Sequence, residues 1–447
     1  FFVDDMGWQD TSVPFHTETT DLNRHFRTPN MENLAAQGMK FTQAYACSLC
    51  SPTRISLMTG SNAARHRVTN WTLRRDTTAG ASRFLPELEE PAWNVNGLAL
   101  EAGIERTWLA ETTLPLELRK AGYRTIHVGK AHFAADGTPW EDPTALGFDV
   151  NIAGHCAGGP GSYLATNNFS AAFRRGDRIW DVPGLEAYHG KEIFLTEALT
   201  REARKAVTRA VEDDQPFYLY LSHYAVHAPF EVDDRFADHY PDPKLSKNQR
   251  AFATLVEGMD KSLGDLMDHL ETLGVADDTV VVFLSDNGSP PGQLPNKPLR
   301  GHKLNATEGG TRVPMIVKWP GVVQPGTVCD DDYLIVEDLF PTFLELAGAG
   351  EVLASLNQVD GHSFLPLLKG KQGLSSGRPL FWHFPNKYVE RPFSSVRVDD
   401  WKLIYFYGSR KIHLYNLAED LGETKNMADD NPARVREMTR ELGDHLR

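Results

Sequence analysis

Short apolar segments alternate with amphipathic segments along most of this 447-residue chain, and this alternation strongly constrains its fold. Strands that are apolar at every position, such as 280–284, are typical of sheets buried on both faces. Helices between successive strands are the connection that parallel strands need. We therefore predict an α/β fold with a large, mostly parallel sheet sandwiched by helices. The predicted strands are 1–3, 41–45, 123–128, 217–221, 280–284 and 314–319, and the predicted helices are 29–38, 114–120, 193–211, 255–273 and 334–347.

The last part of the chain has a different pattern. Three short segments with alternating polarity, separated by turn residues, predict antiparallel strands over 394–398, 402–407 and 411–415. A final helix is predicted over 432–446. The pattern indicates a smaller C-terminal antiparallel sheet plus helix, joined through the Gly/Ser-rich stretch 370–377. We expect a catalytic domain over residues 1–370 and a C-terminal subdomain over 371–447.

Charge and composition exclude several classes of protein. The formal net charge of −14 argues against a nucleic-acid partner, because phosphate binding needs a basic surface. No apolar run approaches the roughly 20 residues of a membrane span, so we predict no membrane span. The four cysteines are too few for a disulfide scaffold. Cys47 and Cys50 have no second Cys or His pair at zinc spacing, which disfavours a zinc site.

Polar side chains follow several of the predicted strands. Asp4 and Asp5 follow the first strand, and Asp286 and Asn287 follow strand 280–284. Ligands of open parallel sheets collect beyond the carboxyl ends of the strands, where we expect these side chains to meet. Each pair alone is more often a turn or cap, but together they offer hard oxygen donors that suit Ca²⁺ or Mg²⁺. Candidate cations at the same edge are Lys130, His132, His227 and Lys303.

Residues 50–60 read Cys-Ser-Pro-Thr-Arg-Ile-Ser-Leu-Met-Thr-Gly. Pro52 suits the first position of a helix, which predicts a helix that begins there. Arg54 follows, where it can hold an anion or a neighbouring group at the helix start. The string resembles the signature of the type I, formylglycine-dependent sulfatases of the alkaline-phosphatase-like superfamily, which is Cys-x-Pro-x-Arg followed by an apolar pair and Thr-Gly.

The resemblance extends over most of the chain. Val3 to Gly7 looks like the first metal-binding element of the family, and Ser285 to Gly288 looks like the second. His227-Ala228-Pro229 is similar to its His-x-Pro element. Further matching segments are Gly122 to His132, Leu299 to Lys303, Glu308 to Pro314, Leu414 to Leu417 and Glu423 to Asn426.

The resemblance implies a cofactor and a nucleophile. Cys50 is expected to be oxidised to formylglycine, whose hydrated aldehyde attacks sulfur. The implied ligands of a Ca²⁺ ion are Asp4, Asp5, Cys50 as formylglycine, Asp286 and Asn287. The implied partner during biosynthesis is a formylglycine-generating enzyme or an anaerobic sulfatase-maturing enzyme. The implied location is periplasmic or secreted.

The resemblance also implies roles for the cationic side chains. Arg54 and Lys130 orient the nucleophile, and His132 assists its proton transfers. Lys130 and Lys303 bind the sulfate, whose negative charge fixed cations stabilise. His227 binds the substrate and protonates the departing alcohol, as a positioned imidazole can.

The substrate is expected to be a sulfated carbohydrate, either a galactose-containing polysaccharide or a glycosaminoglycan, as in bacterial carbohydrate sulfatases. His155 and His383 are predicted to line a sugar subsite, and Trp93, Trp140 and Tyr163 lie in loops that could also reach it. Two alternatives stay open. One is a phosphonate monoester or phosphodiester hydrolase of the same superfamily, and the other is a catalytically inactive glycan-binding homologue.

Overall fold

The computed structural model describes residues 1–78, 85, 88–171, 176–387 and 391–447. Within these residues, a nine-stranded sheet forms the centre of the molecule, and a separate pair of short strands, β3 and β4, lies outside it. The strands of this part are β1 (Phe2–Val3), β2 (Met39–Tyr45), β3 (Leu98–Ala99), β4 (Trp108–Leu109), β5 (Arg124–Gly129), β6 (Val150–Ile152), β7 (Phe217–Ser222), β8 (Val281–Ser285), β9 (Arg312–Lys318), β10 (Thr327–Cys329) and β11 (Leu334–Ile335).

The central sheet is mostly parallel, as predicted. Its strand order is β10-β2-β9-β8-β1-β7-β5-β6, with β11 also paired to β2. Strands β8, β1, β7, β5 and β6 are all parallel to one another. Strand β9 is antiparallel to both β2 and β8. The carboxyl ends of β8, β1, β7 and β5 therefore lie side by side at one edge of the sheet.

Helices cover both faces of this sheet. One face packs against α2, α6 and α7, and the other packs against α3, α5 and α9, so that each face has its own apolar core. This arrangement confirms the predicted sandwich. The helices are α1 (Asp21–His25), α2 (Pro29–Gln37), α3 (Cys50–Thr59), α4 (Ala63–His66), α5 (Leu114–Lys120), α6 (Leu195–Glu212), α7 (Lys247–Thr272), α8 (Glu308–Thr311), α9 (Leu339–Leu346), α10 (Leu365–Leu368) and α11 (Pro432–His445).

Three predicted helix boundaries are wrong. Helix α3 begins at Cys50, so Pro52 is its third residue, which is possible because the first-turn N–H groups have no intrahelical acceptor. Helix α7 begins at Lys247 rather than 255, because Ser246 and Gln249 form a capping box ahead of the apolar stripe. The segment 334–347 is an α-helix only from Leu339, since its first two residues form β11 and the next three form a 3₁₀ turn.

The C-terminal part forms a second, antiparallel sheet with a helix on it. Its strands are β12 (Pro379–Phe384), β13 (Phe393–Val398), β14 (Trp401–Phe406) and β15 (Lys411–Asn416). Met438 and Leu442 of α11 pack against this sheet. The indole N–H of Trp382 donates to the carbonyl of Ala46 at 2.9 Å, which joins β12 to the segment before Cys50. The domain boundary at 370 stays a prediction.

None of the described helices is both long enough and apolar enough to cross a membrane.

Candidate active site

Acidic side chains meet at the carboxyl ends of β1 and β8. The carboxylates of Asp4, Asp5 and Asp286 are buried, and each offers an oxygen within 4.8 Å of the others. The backbone N–H of Asp5, whose φ is 63°, donates to Oδ1 of Asp286 at 3.0 Å. Nδ2 of Asn287 donates to Oδ1 of Asp5 at 2.8 Å. Two strand ends far apart in sequence thus build one acidic centre.

This centre fits a hard divalent cation. Oδ1 of Asp4 and Oδ1 of Asn287 are buried and have no hydrogen-bond partner among the described residues. Burial, with a further contribution from the nearby Asp286 carboxylate, raises the pKa of Asp4 well above its usual range. Unpartnered oxygens and a carboxylate that resists ionisation indicate that positive charge belongs between them. Carboxylate and amide oxygens are the ligands that Ca²⁺ takes.

Two lysines and a histidine contact the acidic centre. Nζ of Lys130 lies 2.5 Å from Oδ2 of Asp4, and Nζ of Lys303 lies 2.5 Å from Oδ1 of Asp5. Nε2 of His227 lies 3.8 Å from Oδ2 of Asp5. Burial acts to raise the pKa of Asp5, but Lys303 and His227 outweigh it and hold that pKa well below its usual range. The structure therefore brings three of the four cationic candidates, Lys130, His227 and Lys303, to the predicted metal ligands.

Arg54 ties helix α3 to the same centre. Its Nε and Nη2 donate to Oδ2 of Asp286 at 3.1 and 2.8 Å. Its Nη1 donates to Oγ of Ser222 at 2.5 Å and to the carbonyl of Lys130 at 3.1 Å, and its guanidinium lies 5.1 Å from the ring centroid of Phe2. Burial opposes the charged form, but Asp286 raises the pKa of Arg54 above its usual range. The guanidinium is thus a fixed cation that joins the ends of β5, β7 and β8.

Cys50 lies at the start of α3, next to the charged groups. One helical turn on, the hydroxyl of Thr53 donates to the carbonyl of Asp286 at 2.7 Å, which fixes the helix start beside the acidic centre. Burial raises the pKa of the Cys50 thiol, although Lys130 and Lys303 act in the opposite direction. A neutral thiol is a weak nucleophile. The unmodified side chain is therefore poorly suited to nucleophilic attack at neutral pH.

His132 is held by the backbone around it. Its Nε2 lies 2.8 Å from the carbonyl of Thr72, and its backbone N–H donates to the carbonyl of His155 at 3.1 Å. Its Nδ1 is buried and has no partner within the described part of the chain. Burial, aided by the charge of Lys130, lowers the pKa of His132 well below its usual range. The imidazole is neutral, and Nδ1 is available to exchange a proton.

His227 is oriented by a single backbone hydrogen bond. Its Nδ1 lies 2.7 Å from the carbonyl of Ala228, so Nδ1 is assigned as the donor and Nε2 faces Asp5. Burial lowers the pKa of His227 to about 3. The charge of Asp5 acts in the opposite direction, while the charges of Lys303 and Lys130 act in the same direction as burial. An anion bound near these cations would raise that pKa again.

The two predicted sugar-subsite histidines lie in different places. His155 is beside His132 through the backbone contact already described, and its own Nε2 is buried without a partner among the described residues. His383 lies on β12, where its Nδ1 is 2.7 Å from Oγ of Ser394, and it lines a pocket of about 960 Å³ with Arg67 and His445. No contact between His383 and the charged centre is found within the described residues.

Three aromatic side chains that could reach a sugar subsite are buried instead. Trp93 and Trp140 are 4% and 6% exposed, which leaves no face for a sugar. Tyr163 is fully buried, and its hydroxyl donates to the carbonyls of Tyr224 at 2.7 Å and His227 at 2.8 Å. These rings hold the loops, and Tyr163 supports the segment that carries His227.

Sequence reasoning did not identify the groups that support the site. Ser222 accepts a hydrogen bond from Arg54, and its carbonyl accepts one from the N–H of Lys130 at 2.7 Å. Its position as the last residue of a strand that ends at the site could have indicated this role. A Cβ on Gly129, whose φ is 100°, would lie 2.0 Å from that carbonyl, so only glycine fits here.

The fold and the site are those of an α/β protein of the alkaline-phosphatase-like group, with acidic and cationic side chains at the carboxyl edge of a mostly parallel sheet. The family profile described as Sulfatase matches residues 1–349. The profile described as N-sulphoglucosamine sulphohydrolase, C-terminal, matches residues 303–447. This chain belongs to the sulfatase family, and its named relatives are sulfuric ester hydrolases.

Individual relatives cover most of the chain. A sulfatase of Formosa agariphila is 30% identical, over 97% of this chain and 84% of the relative. The human N-acetylgalactosamine-6-sulfatase is 32% identical, over 85% of this chain and 67% of the relative. The crystal structure of Ps i-CgsB in complex with k-i-k-neocarrahexaose is similar with a TM-score of 0.77 and 25% identity, over 100% of this chain and 91% of that one.

Proposed function

We propose that this chain hydrolyses O-sulfate esters of a sulfated carbohydrate, through formylglycine derived from Cys50 and a Ca²⁺ ion. The observation that carries the proposal is the meeting of five segments at one edge of the sheet. Three carboxylates lie within 4.8 Å of one another, Lys130 and Lys303 touch two of them, and α3 starts beside the third. The named relatives include N-acetylgalactosamine-6-sulfatases, which supports a sulfated sugar as the substrate.

The residues that would hold the cation are Asp4, Asp5, residue 50, Asp286 and Asn287. Ca²⁺ supplies a Lewis acid, and formylglycine supplies a nucleophilic oxygen for sulfur. Three buried carboxylates face three buried cations, Lys130, Lys303 and Arg54, in this structure. A divalent cation would add two positive charges and a sulfate monoester one negative charge. The centre with both of them bound therefore keeps a net positive charge, which favours the anionic ester.

The protein side chains then have separate tasks in the hydrolysis. Lys130 and Lys303 bind the sulfate oxygens, while Arg54 holds Asp286 and the start of α3 in place. His132 exchanges the proton of the nucleophile. The bond between sulfur and the ester oxygen breaks with its electron pair on that oxygen, which takes a proton from Nε2 of His227. That nitrogen gains its proton when the sulfate anion binds beside it and raises the pKa of the imidazole. The oxygen of residue 50 would replace the alcohol on sulfur, and cleavage of the carbon–oxygen bond of that residue would then release sulfate. Addition of one water to the aldehyde would restore the starting hydrate, so the net products are an alcohol and sulfate.

Maturation and location are part of the proposal. A formylglycine-generating enzyme or an anaerobic sulfatase-maturing enzyme would modify Cys50, and the enzyme would act in the periplasm or outside the cell. Both statements rest on the resemblance to the family. The galactose-containing or glycosaminoglycan nature of the glycan rests on the named relatives and on the k-i-k-neocarrahexaose in the complex of Ps i-CgsB.

Sulfate release tests this function. The chain is produced with a formylglycine-generating enzyme and incubated with sulfated galactose, N-acetylgalactosamine and glucosamine compounds, with a phosphonate monoester in parallel. We expect sulfate release by the wild type and none by the C50A variant, which cannot be matured. Hydrolysis of the phosphonate monoester without any sulfate release would overturn the proposal in favour of the phosphonate hydrolase alternative. Glycan binding without turnover would favour the inactive homologue.

A further inference from the structure

The loop that carries Lys303 runs from Arg300 to Glu308, and we name it the lysine loop. It closes on itself, because the N–H of Gly309 donates to the carbonyl of Arg300 at 2.8 Å. Its side toward the acidic centre is held by the N–H of Lys303, which donates to the carbonyl of Ser289 at 2.8 Å. A backbone hydrogen bond therefore joins the two ends of the loop, and a second one fixes Lys303 to Ser289.

One end of the lysine loop is bonded to the C-terminal sheet by buried charges. Nζ of Lys402, on β14, lies 2.8 Å from Oε1 of Glu308 and 3.4 Å from Oε1 of Glu423. The backbone N–H of Glu308 donates to Oε2 of Glu423 at 2.7 Å. All three side chains are fully buried. Burial opposes ionisation of Glu308, but Lys402 and Arg312 outweigh it and hold the pKa of Glu308 at about 2.

The other end is bonded to the same sheet by a neutral hydroxyl. Nη2 of Arg300 donates to the phenol oxygen of Tyr415, on β15, at 3.0 Å. The guanidinium also lies 5.2 Å from the centroid of the Tyr415 ring. The C-terminal sheet thus contacts both ends of the lysine loop, one through Lys402 of β14 and the other through Tyr415 of β15.

The two residues that follow the loop, Gly309 and Gly310, pack against the segment that carries a predicted metal ligand. The N–H of Gly288, next to Asn287, donates to the carbonyl of Gly310 at 3.1 Å. A Cβ on Gly288 would lie 1.8 Å from the carbonyl of Gly309, so the two backbones touch without room for a side chain. A shift of the loop and of the two glycines that follow it would therefore displace both Lys303 and Asn287.

We propose that the C-terminal sheet clamps both ends of the lysine loop and so positions Lys303 for sulfate binding, with Lys402 and Tyr415 as positioning residues. This inference rests on the proposed function, in which Lys303 binds the sulfate of the substrate. Neither Lys402 nor Tyr415 touches the acidic centre, so both act through the loop. The antiparallel sheet then helps to position the sulfate-binding lysine, in addition to its role in the C-terminal fold.

The test compares two ways of loosening the C-terminal part. The double variant K402M/E423Q removes the cation of Lys402 together with the carboxyl group of Glu423, whose pKa burial raises to about 7. The control R378M breaks a partly buried pair, in which the guanidinium of Arg378 donates hydrogen bonds of 2.6 and 2.8 Å to Asp338 without reaching the lysine loop. The melting temperature, the KM and kcat for a sulfate ester, and the Ki of inorganic sulfate are measured in the matured enzyme.

We expect both variants to lose melting temperature but only K402M/E423Q to lose sulfate affinity. Its KM and Ki should rise about tenfold, which is less than the roughly hundredfold that a misplacement of about 1 Å can cost. The variant Y415F, which removes one hydroxyl, should raise the Ki by a smaller factor and should fold in any case. Unchanged KM and Ki in K402M/E423Q would overturn the inference. If that variant does not fold, an unchanged Ki in Y415F overturns it.

The variant K303M separates this inference from the proposed function. If K303M leaves the Ki of sulfate unchanged, Lys303 does not bind sulfate, and the role given to it in the proposed function is wrong. If K303M weakens sulfate binding while K402M/E423Q and Y415F do not, only the clamp is wrong.

Discussion

The guanidinium of Arg54 donates two hydrogen bonds to a single oxygen of Asp286, and both side chains are completely buried. The pair joins the helix that starts at Cys50 to the strand that delivers two of the proposed metal ligands. Because neither partner reaches water, each depends on the other for its charge to be tolerated. The Arg54–Asp286 pair therefore contributes both to the stability of the fold and to the geometry of the site.

The variant R54M should be strongly destabilised. Removing the guanidinium leaves Asp286 buried without its cation, which costs about 3–5 kcal/mol in comparable buried pairs. Denaturant unfolding of the metal-free protein measures the loss. We expect Ca²⁺ to restore part of it, since the ion would compensate the same carboxylate. An R65M control, whose partner pair is partly exposed, should lose much less. Equal losses in the two variants would contradict the role of Arg54.

Calcium should raise the melting temperature of the wild type. A ligand that binds only the folded state adds about 2.7 kcal/mol at a concentration of about a hundred times its Kd. The D4N variant removes one of the proposed ligands, and it should lose most of the shift between chelator and excess Ca²⁺. The control D265N changes a surface carboxylate that pairs with Lys261, and it should keep the full shift. A shift retained in D4N would place the ion elsewhere.

The effect of His227 should depend on the leaving group. Alkyl sulfates release a poor leaving group that needs a proton, whereas 4-nitrophenyl sulfate releases a stable anion. The H227A variant should therefore lose about 10²- to 10⁴-fold in kcat on a sulfated sugar and far less on the aryl ester. The H16A variant, outside the site, is the control. Equal losses on both substrates would show that His227 is not the proton donor.

Glu337 should make the stability depend on pH. Burial, with a contribution from Asp338, raises the pKa of Glu337 from 4.5 to about 8, and its Oε1 accepts a hydrogen bond from Asn62 at 2.8 Å. The folded protein thus holds a proton that the unfolded chain releases. The stability from this group is complete below about pH 4.5 and is lost as the pH rises toward 8.

The E337Q variant should lose this part of the pH dependence. Its amide stays neutral, so its melting temperature should gain on that of the wild type as the pH rises from 5 to 8. The exposed E351Q variant serves as the control and should show no such trend. A constant difference between E337Q and the wild type across this range would contradict the raised pKa.

The sequence predicted those helices and strands whose own residues show a periodic or continuous pattern of apolar positions. The amphipathic stripe of α6 and the apolar run of β8 appear within one or two residues of their predicted bounds. Strand β11 could not be predicted, because Leu334 and Ile335 are extended only through pairing with Ala44 and Tyr45 of β2. Strand β12 was missed because nearly all its residues are apolar, so its alternating burial leaves no alternation in the letters.

The site was predictable where topology alone decides it. Asp4 and Asp286 meet because parallel strands end at one edge, which a strand pattern reveals. The partners of Lys402 could not be predicted, because they depend on how the second sheet docks on the first. The position of His383 could not be predicted either, because this residue lies on β12, a strand that the sequence pattern did not reveal.

Whether active protein carries formylglycine at residue 50 is measured directly by the mass of the tryptic peptide 41–54, taken from protein that releases sulfate. This peptide contains both Cys47 and Cys50, so one cysteine serves as the internal control for the other. We expect an aldehyde at residue 50 and an unchanged thiol at residue 47. Fully active protein with thiols at both positions would contradict it.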